Sequence, residues 1–283
     1  MSLVRTEYYR SDLLRVRYVA CRSAGRGLSE IEETENDTLI FPLRGAFIEH
    51  FSRNHEILAE PNIALLVRAA SFSRVSHPVS SQDDSLVIDF SSTFFRDIAE
   101  RSDSAHISSG HSVLNPAMMA ARNLIWNRFR RGFIHPLEVE ETATALLSYS
   151  LRFTQRIRGF RRSSKMPRQI EAAKVVLLSH PERNWKLSEL AHALECSPYY
   201  LTRMFRWCVG IPLHRYQLNT RFARAVDLLL DSDEDLATIA IHLGFSSHSH
   251  FTASFHQAVG FTPTELRECG TRDQLAAIRK LLY

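Results

Sequence analysis

The sequence lacks any long apolar run. No hydrophobic stretch reaches the ~18–20 residues that cross a bilayer, and the first segment, MSLVRTEYYRSD, has no apolar core of the kind found in signal peptides. We therefore expect no membrane partner and a cytoplasmic protein. The chain has 283 residues, 45% of them hydrophobic, which is enough for two globular domains of ordinary size.

Cysteine is scarce and dispersed. The four cysteines stand at positions 21, 196, 208 and 269 and form no CxxC pair. Their spacing does not indicate a metal site or a disulfide framework, and a chain of this kind suits a reducing compartment.

Sequence patterns of enzymes and of metal-binding cupins are also missing. The histidines of the N-terminal half form no HxH pair, and an isolated histidine on a strand is more often structural than a ligand; they are His50, His55, His77, His106 and His111. No G-x-S-x-G, Walker or Rossmann pattern occurs, and the GRG run at 25–27 is most simply a turn. We therefore predict no catalytic residue, no metal ligand and no cofactor, and the chain is not expected to be an enzyme.

A strong charge imbalance is absent too, since the formal net charge is +4. Residues 165–270 contain 11 basic and 11 acidic residues, and four of the acids cluster between 231 and 235. If this region binds nucleic acid, its affinity must come from the local placement of charge.

What the sequence does contain is a helix-turn-helix pattern over residues 235–267. Ile239, Ala240 and Leu243 mark one apolar helix face, and Gly244 is suited to the turn that follows because glycine adopts positive φ without a Cβ clash. Ser247 is a good N-cap for a second helix. The second helix of such a motif is the one that enters the major groove of DNA.

A copy of this pattern occurs 50 residues upstream. Ser197, Leu201, Phe205 and Gly210 match Ser247, Phe251, Phe255 and Gly260 in type and spacing. With both copies in view, the run IAIHLGFSSHSHFTASFHQAVGFTPTELR resembles the C-terminal signature of the AraC/XylS transcription regulators. The resemblance extends over roughly residues 166–267, and it implies a DNA-binding domain with two helix-turn-helix units.

The N-terminal part has a strand-like pattern. Four segments between residues 13 and 90 are rich in β-branched and aromatic residues and are separated by turn formers. In the AraC/XylS family this position often holds a cupin-like barrel that binds a small effector, and we expect such a barrel over about 10–92. Effector-binding residues are not assigned, because strand alternation without register does not identify the inner face.

Helical periodicity replaces the strand pattern after residue 90. Asn115 and Pro116 predict the start of one helix, and His135 and Pro136 the start of another, giving a helical hairpin over about 115–157. Core packing explains most of its apolar residues, and pairing between subunits of a homodimer is a second interpretation that the resemblance supports.

The segment 159–166 is the best linker, because it is polar, holds glycine and lacks an apolar period. Its arginines allow three interpretations. They can be a solvated tether, a non-specific contact with DNA phosphates, or a clamp for an anionic effector formed by Arg152, Arg156, Arg161 and Arg162.

The exposed face of the first predicted recognition helix supplies the candidate base-reading residues. Ser197 caps the helix, and Arg203 offers a guanidinium fork that matches the two acceptors of guanine. The full set is Ser197, Tyr199, Thr202, Arg203 and Arg206. In the family, the positions of Tyr199, Thr202 and Arg203 are the usual base readers.

The second recognition helix is predicted to be less equipped for reading bases. Ala253 stands at the position of Arg203, and His256 replaces the cation of Arg206. Its candidate DNA-binding residues are Ser247, Ser249, His250, Thr252, Ala253 and His256. Between the two units, residues 212–231 are expected to form one rigid helix about 30 Å long, close to one turn of DNA.

These observations predict an α+β chain. Residues 1–158 form an effector-sensing and dimerisation domain, 167–270 an all-α DNA-binding domain, and 271–283 a tail. The expected partners are promoter DNA, a small-molecule effector, a second copy of the chain, and RNA polymerase if the protein activates. One alternative is an effector-independent regulator whose N-terminal half dimerises or binds a protein. A second is a metal-dependent cupin enzyme fused to a DNA-binding domain.

Overall fold

A computed structural model describes most of the chain. The described residues are 2–22, 27–52, 55–77, 82–104, 106–132, 135–156 and 167–268. The predicted linker at 159–166 with Arg161 and Arg162, the predicted tail at 271–283 and the start of the GRG turn lie outside these residues, and so does the Arg156 side chain.

The described residues group into two compact units. The first contains everything described up to Leu114 together with the segment that begins at Arg128, and the second contains Asn115–Asn127 and the residues from Pro167 onward. No helix among the described residues is long and apolar enough to cross a membrane.

The described residues of the first unit form ten strands, and the pairings among these described strands are antiparallel. They are β1 (Ser2–Arg10), β2 (Leu14–Arg22), β3 (Glu32–Glu33), β4 (Asp37–Arg44), β5 (Phe47–Ser52), β6 (His55–Ala59), β7 (Ile63–Val67), β8 (Phe72–Ser76), β9 (Gln82–Phe90) and β10 (Gly110–Val113). One sheet has the order β1-β2-β9-β4-β7-β10 and the other β3-β8-β5-β6.

The core of this unit lies between the two sheets. Phe47 and Ile57 come from the four-stranded sheet, Ile63 and Leu65 from the six-stranded sheet, and all four are buried in one apolar cluster. The cupin-like β-domain predicted from the resemblance is confirmed as a fold. The correction is that the described strands form two facing sheets and not one closed barrel.

Four of the described strands were not predicted from the sequence: β1, β3, β6 and β10. β1 pairs along its length with β2, but its side chains are exposed or half-buried. A strand at a sheet edge with no buried face shows no apolar alternation, so its sequence carries a weak signal. β6 pairs with β5 and is only five residues long, and β3 and β10 are shorter still.

The first three helices after β9 among the described residues are α1 (Ser92–Arg101), then, beyond β10, α2 (Pro116–Arg130) and α3 (Pro136–Arg156). The predicted cap of α2 is confirmed, because the backbone N–H of Met118 donates to Oδ1 of Asn115 at 2.8 Å. The predicted apolar faces of α2 and α3 are buried, from Met118 to Phe129 and from Val139 to Leu151. The first part of α2 belongs to the second unit, where Nδ2 of Asn123 donates to Asp227 at 2.6 Å.

The remainder of the second unit is helical. Its helices are α4 (Arg168–Ser179), α5 (Leu187–Ala193), α6 (Pro198–Val209), α7 (Leu213–Asp231), α8 (Leu236–His242), α9 (His248–Val259) and α10 (Pro263–Arg267). The pairs α5–α6 and α8–α9 are the two predicted helix-turn-helix units. Leu201 and Phe205 of α6 and Phe251 and Phe255 of α9 are fully buried, so each unit is fixed by apolar packing that costs about 3–5 kcal/mol per phenylalanine to remove.

Candidate nucleic-acid interface

The start of α6 is fixed by its own sequence. Ser197 adopts an extended backbone, and its hydroxyl accepts from the backbone N–H of Tyr200 at 3.1 Å. Pro198 occupies the first helical position, where the missing N–H has no helical partner to lose. The other free N–H groups of the first turn give this end a partial positive charge that can meet a phosphate.

The predicted base-reading side chains of α6 are brought together on one exposed face. Tyr199 is 72% exposed, and Nη1 of Arg203 lies 3.4 Å from its phenolic oxygen, one helical turn away. Thr202 and Arg206 are also exposed. The hydroxyl of Thr202 donates to the carbonyl of Pro198 at 2.9 Å, which leaves the methyl group as the part of this side chain best suited to an outside contact.

The second recognition helix α9 begins in the same way. Ser247 accepts from the backbone N–H of His250 at 3.1 Å, and Gly260 ends the helix in the left-handed conformation, as Gly210 ends α6. The predicted residues Ser249, Ala253 and His256 are exposed, whereas Thr252 is half-buried. α6 and α9 therefore share the same type of cap at both ends.

The histidines of α9 are more constrained than the sequence indicates. Nδ1 of His250 lies 3.0 Å from the hydroxyl of Ser246, and its ring meets the edge of Phe245 with centroids 5.7 Å apart. His248 was absent from the predicted set, yet it is exposed in the first turn, 3.3 Å from the hydroxyl of Thr252. Its position directly after the Ser247 cap, in the first turn of the recognition helix, was the signal available in the sequence.

Asp235, in the acidic cluster between the two helix-turn-helix units, has a structural role. Asp235 caps α8 by accepting from the backbone N–H groups of Ala237 and Thr238 at 2.9 and 3.0 Å. The hydroxyl of Thr238 is the largest cause that holds the pKa of Asp235 below its ordinary value, and the backbone N–H of Thr238 adds to it. This carboxylate therefore belongs to the cap and is not a free charge facing DNA.

The turns of the two helix-turn-helix units differ. Glu195 takes a left-handed backbone with φ of 53°, where a non-glycine residue costs ~1 kcal/mol or more. Gly244 occupies the corresponding place with φ of 74°. At the start of α5, the Lys186 side chain makes no cap hydrogen bond, and the carboxylate of Glu189 accepts from the Lys186 backbone N–H at 3.4 Å.

A buried arginine joins the loop before α5 to the turn before α9, and no sequence pattern identified it. Arg221 of α7 is 8% exposed. Its guanidinium donates to the carbonyl of Pro181 at 2.8 Å, to the carbonyl of Arg183 at 3.2 Å and to Oδ1 of Asn184 at 2.6 Å. The amide of Asn184 in turn donates to the carbonyl of Gly244 at 3.0 Å. We call this set of bonds the Arg221 junction.

The Arg221 junction also fixes the approach of the second turn. A Cβ atom on Gly244 would lie 2.1 Å from the carbonyl oxygen of Glu182, so the close contact requires glycine. The guanidinium of Arg221 lies 5.9 Å from the centre of the Phe245 ring, which itself contacts His250. The loop before α5 and the turn before α9 are therefore held together through α7.

The helix α7 completes the frame. It has 19 residues, a length of about 28 Å at 1.5 Å per residue. Its predicted apolar stripe is buried at Phe222, Ala225 and Leu229 and half-buried at Leu218. Helix interiors of this length are stiff, so the separation of the two units is set by one rigid element.

Comparison with known proteins finds sequence similarity in the second compact unit. Residues 190–268 match the family model described as a helix-turn-helix domain. The regulatory protein PocR of Salmonella typhimurium is 33% identical over 90 residues, covering 32% of this chain and 30% of PocR. The transcriptional regulator ExsA of Pseudomonas aeruginosa is 30% identical over 101 residues, 36% of each chain.

The chain thus spans about a third of the length of the curated relatives it matches. Among solved structures, fatty-acid-bound ToxT of Vibrio cholerae is 12% identical, with a TM-score of 0.38, and the superposition covers 92% of this chain and 96% of ToxT.

Proposed function

We propose that this chain, whose C-terminal unit is a double helix-turn-helix domain of the AraC/XylS type, is a DNA-binding transcription regulator. The observation that carries the proposal is the pair of capped recognition helices, each with one buried and one exposed face, held by α7 and the Arg221 junction. A rigid pair of this kind suits two successive major grooves on one side of the duplex.

The first helix-turn-helix unit supplies most of the base recognition in this proposal. Arg203 presents a planar fork toward the two acceptors of a guanine, and its neighbour Tyr199 restricts its rotamers. The outward methyl of Thr202 suits the methyl of a thymine. Arg206, one turn later, and the N-terminus of α6 hold the phosphates on either side.

In this proposal the second helix-turn-helix unit contacts mainly the DNA backbone. Ala253 offers no hydrogen bond at the position of Arg203. Ser249 and His256 are exposed on the same helix and suit phosphate oxygens or weak base contacts. The hydrogen bond between Ser246 and His250 fixes the orientation of the His250 ring, so this side chain faces the DNA in one rotamer.

The first compact unit, which contains the two sheets and is called the sheet unit below, serves as the sensor in this proposal. Burial raises the pKa of Glu49 to about 7, against the opposing hydrogen bond from Ser73, and such buried polar groups inside a β-domain suit a small polar effector. Residues 1–158 thus sense and dimerise, 167–270 bind promoter DNA, and the protein acts without catalysis in the cytoplasm. RNA polymerase is a further partner if the protein activates.

Binding-site selection with the full chain tests the proposal. We expect wild type to select one sequence, and Arg203→Ala to lose about 1–3 kcal/mol of binding free energy and discrimination at one position. Arg224→Ala is the matched control, because it removes an equal charge from α7, outside both recognition helices.

The control should keep the wild-type preference. Selection of random sequences by wild type would overturn the proposed function, and equal loss of discrimination in both variants would overturn the role of Arg203.

A further inference from the structure

Three side chains with metal-ligating atoms meet inside the sheet unit. The sulfur of Cys21, a ring nitrogen of His77 and a carboxylate oxygen of Asp83 all lie within 4.8 Å of one another. Their exposed fractions are 3%, 1% and 5%. The set is therefore a closed cluster and not a group of surface residues that happen to be close.

The fold explains how distant residues converge. Cys21 and Asp83 are direct cross-strand partners on β2 and β9, so their side chains share one face of the sheet. His77 follows the end of β8 in the opposite sheet. The cluster thus joins the two sheets.

The shared face is the inner one. Asp83 and Val87 stand four residues apart on β9 and point to the same side. Val87 pairs with Ile40, which packs against the apolar cluster between the sheets. Asp83 consequently points into the space between the sheets, where no bulk water is available to solvate its charge.

Three polar atoms of the cluster lack a hydrogen-bond partner among the described residues. Nε2 of His77 lies 2.7 Å from Oδ1 of Asp83, but the two atoms are not aligned as a hydrogen bond. Within the described part of the chain, neither ring nitrogen of His77 nor Oδ1 of Asp83 has a hydrogen-bond partner. Buried polar atoms nearly always have a partner, so these atoms require one that the described part of the chain does not supply.

We propose that Cys21, His77 and Asp83 bind one divalent transition-metal ion of the zinc class inside the sheet unit. Thiolate, imidazole and carboxylate are the three ligand types that Zn²⁺ takes in proteins, whereas Mg²⁺ and Ca²⁺ select oxygen ligands. One thiolate and one carboxylate balance the two charges of the ion, which makes the bound site neutral and suited to burial. A fourth ligand position is left for water or a small molecule.

This inference departs from the expectation that the chain binds no metal. The absence of an HxH pair from the N-terminal half predicts no metal ligand there, whereas these three residues come from two strands and the end of a third. The HxH pair that does occur, His248 and His250 on α9, is exposed and is the competing location for the ion. The inference stands apart from the proposed DNA binding, since it concerns a different unit and different residues.

Cobalt titration of the reduced, metal-free full chain tests the site. Co²⁺ replaces Zn²⁺ in such sites and gives a thiolate-to-metal charge-transfer band when a cysteine is bound. We expect one equivalent to produce this band, and Zn²⁺ to displace Co²⁺ and abolish it. The chain in which Cys196, Cys208 and Cys269 are all changed to Ser keeps Cys21 as its one thiol, and we expect it to retain the band.

Ligand variants separate this site from the alternatives. Cys21→Ser should lose the band, and Asp83→Asn and His77→Gln should each weaken the affinity by at least about 10–100-fold, the loss that even an outer-sphere change brings. The double change His248→Ala with His250→Ala should leave the band and the affinity unchanged. Circular dichroism checks that each variant is folded.

The proposal is overturned if wild type gives no charge-transfer band, or if the chain with Cys21 as its one thiol loses the band while remaining folded. It is also overturned if the His248 and His250 change removes cobalt binding while the Cys21 change does not. The single-thiol chain keeps the test decisive even where Cys21→Ser does not fold.

Discussion

α6 and α9 share a scaffold but present different surfaces. Both begin at a serine cap, bury the same three positions and end at a left-handed glycine. On the outer face, α6 carries Arg203 beside Tyr199, and α9 carries Ala253. The buried half of a recognition helix therefore fixes where the helix lies, and the exposed half sets what it binds, independently of one another.

The turns before the two helices differ in the opposite sense. The first tolerates Glu195 at positive φ, whereas the second requires Gly244 because the carbonyl of Glu182 lies against it. The helix-turn-helix unit with the poorer reading face thus has the turn that is in close contact with another segment. The Arg221 junction links this turn to the loop before α5.

Gly244→Ala should break this comparison most severely. The left-handed conformation costs ~1–2 kcal/mol for alanine, and the Cβ clash adds to it, so we expect roughly 3–5 kcal/mol loss in the free energy of unfolding. Urea unfolding of the helical unit measures the change. Gly210→Ala is the control, since φ is also positive there but no atom lies within 4 Å of the new Cβ. Equal losses would show that the contact with Glu182 contributes nothing.

Arg221→Met should have the next largest effect. It leaves the buried acceptors of the Arg221 junction without their donor, which costs about 1–3 kcal/mol in unfolding free energy. We also expect binding to a two-part DNA site to fall more than binding to the first half alone. Arg224→Met on the exposed side of α7 should stay within about 0.5 kcal/mol. An Arg221 variant with unchanged stability and unchanged two-part binding would contradict the anchoring role.

Ala253→Arg tests whether the difference between Arg203 and Ala253 is enough to explain why α6 and α9 are expected to recognise bases unequally. We expect a new base preference in the second half-site, with a gain of about 1–3 kcal/mol in binding free energy at one base pair. Gln257→Arg adds the same charge to α9 at the position that corresponds to Trp207, and should raise affinity without new discrimination. Site selection compares the variants, and identical preferences in both would argue against the matched positions.

Glu195→Gly should have the smallest effect. It relieves a left-handed glutamate, but glycine also increases the entropy of the unfolded chain, so the net stabilisation should be at most about 1 kcal/mol. Thermal unfolding of the helical unit checks it. A loss of stability would mean that the Glu195 side chain makes a contribution that outweighs the backbone cost.

Local patterns predicted what is local. The caps Asn115, Ser197 and Ser247, the buried faces of α6 and α9, and the left-handed Gly244 follow from spacing along one helix or turn. The exposed positions of Arg203 and Ala253 also follow, because the buried face of a helix determines the opposite one.

Non-local features were not predictable in the same way. Arg221 stands in a helix with an ordinary apolar stripe, and its partners Pro181 and Asn184 lie about 40 residues away. Cys21 and Asp83 meet through strand register, which no alternation pattern specifies by itself. β1 escaped because an exposed edge strand buries no face.

The chemical nature of the acceptors at the Arg221 junction has a consequence for how such a domain can be redesigned. Arg221 holds the loop before α5 chiefly through main-chain carbonyls, and substitution of the loop side chains at Pro181 or Arg183 leaves those carbonyl groups in the chain. The mechanical coupling of the two units thus places its demand on few side chains. Under the proposed function, the outward residues of both recognition helices can then be exchanged together, and one frame can serve many DNA sequences.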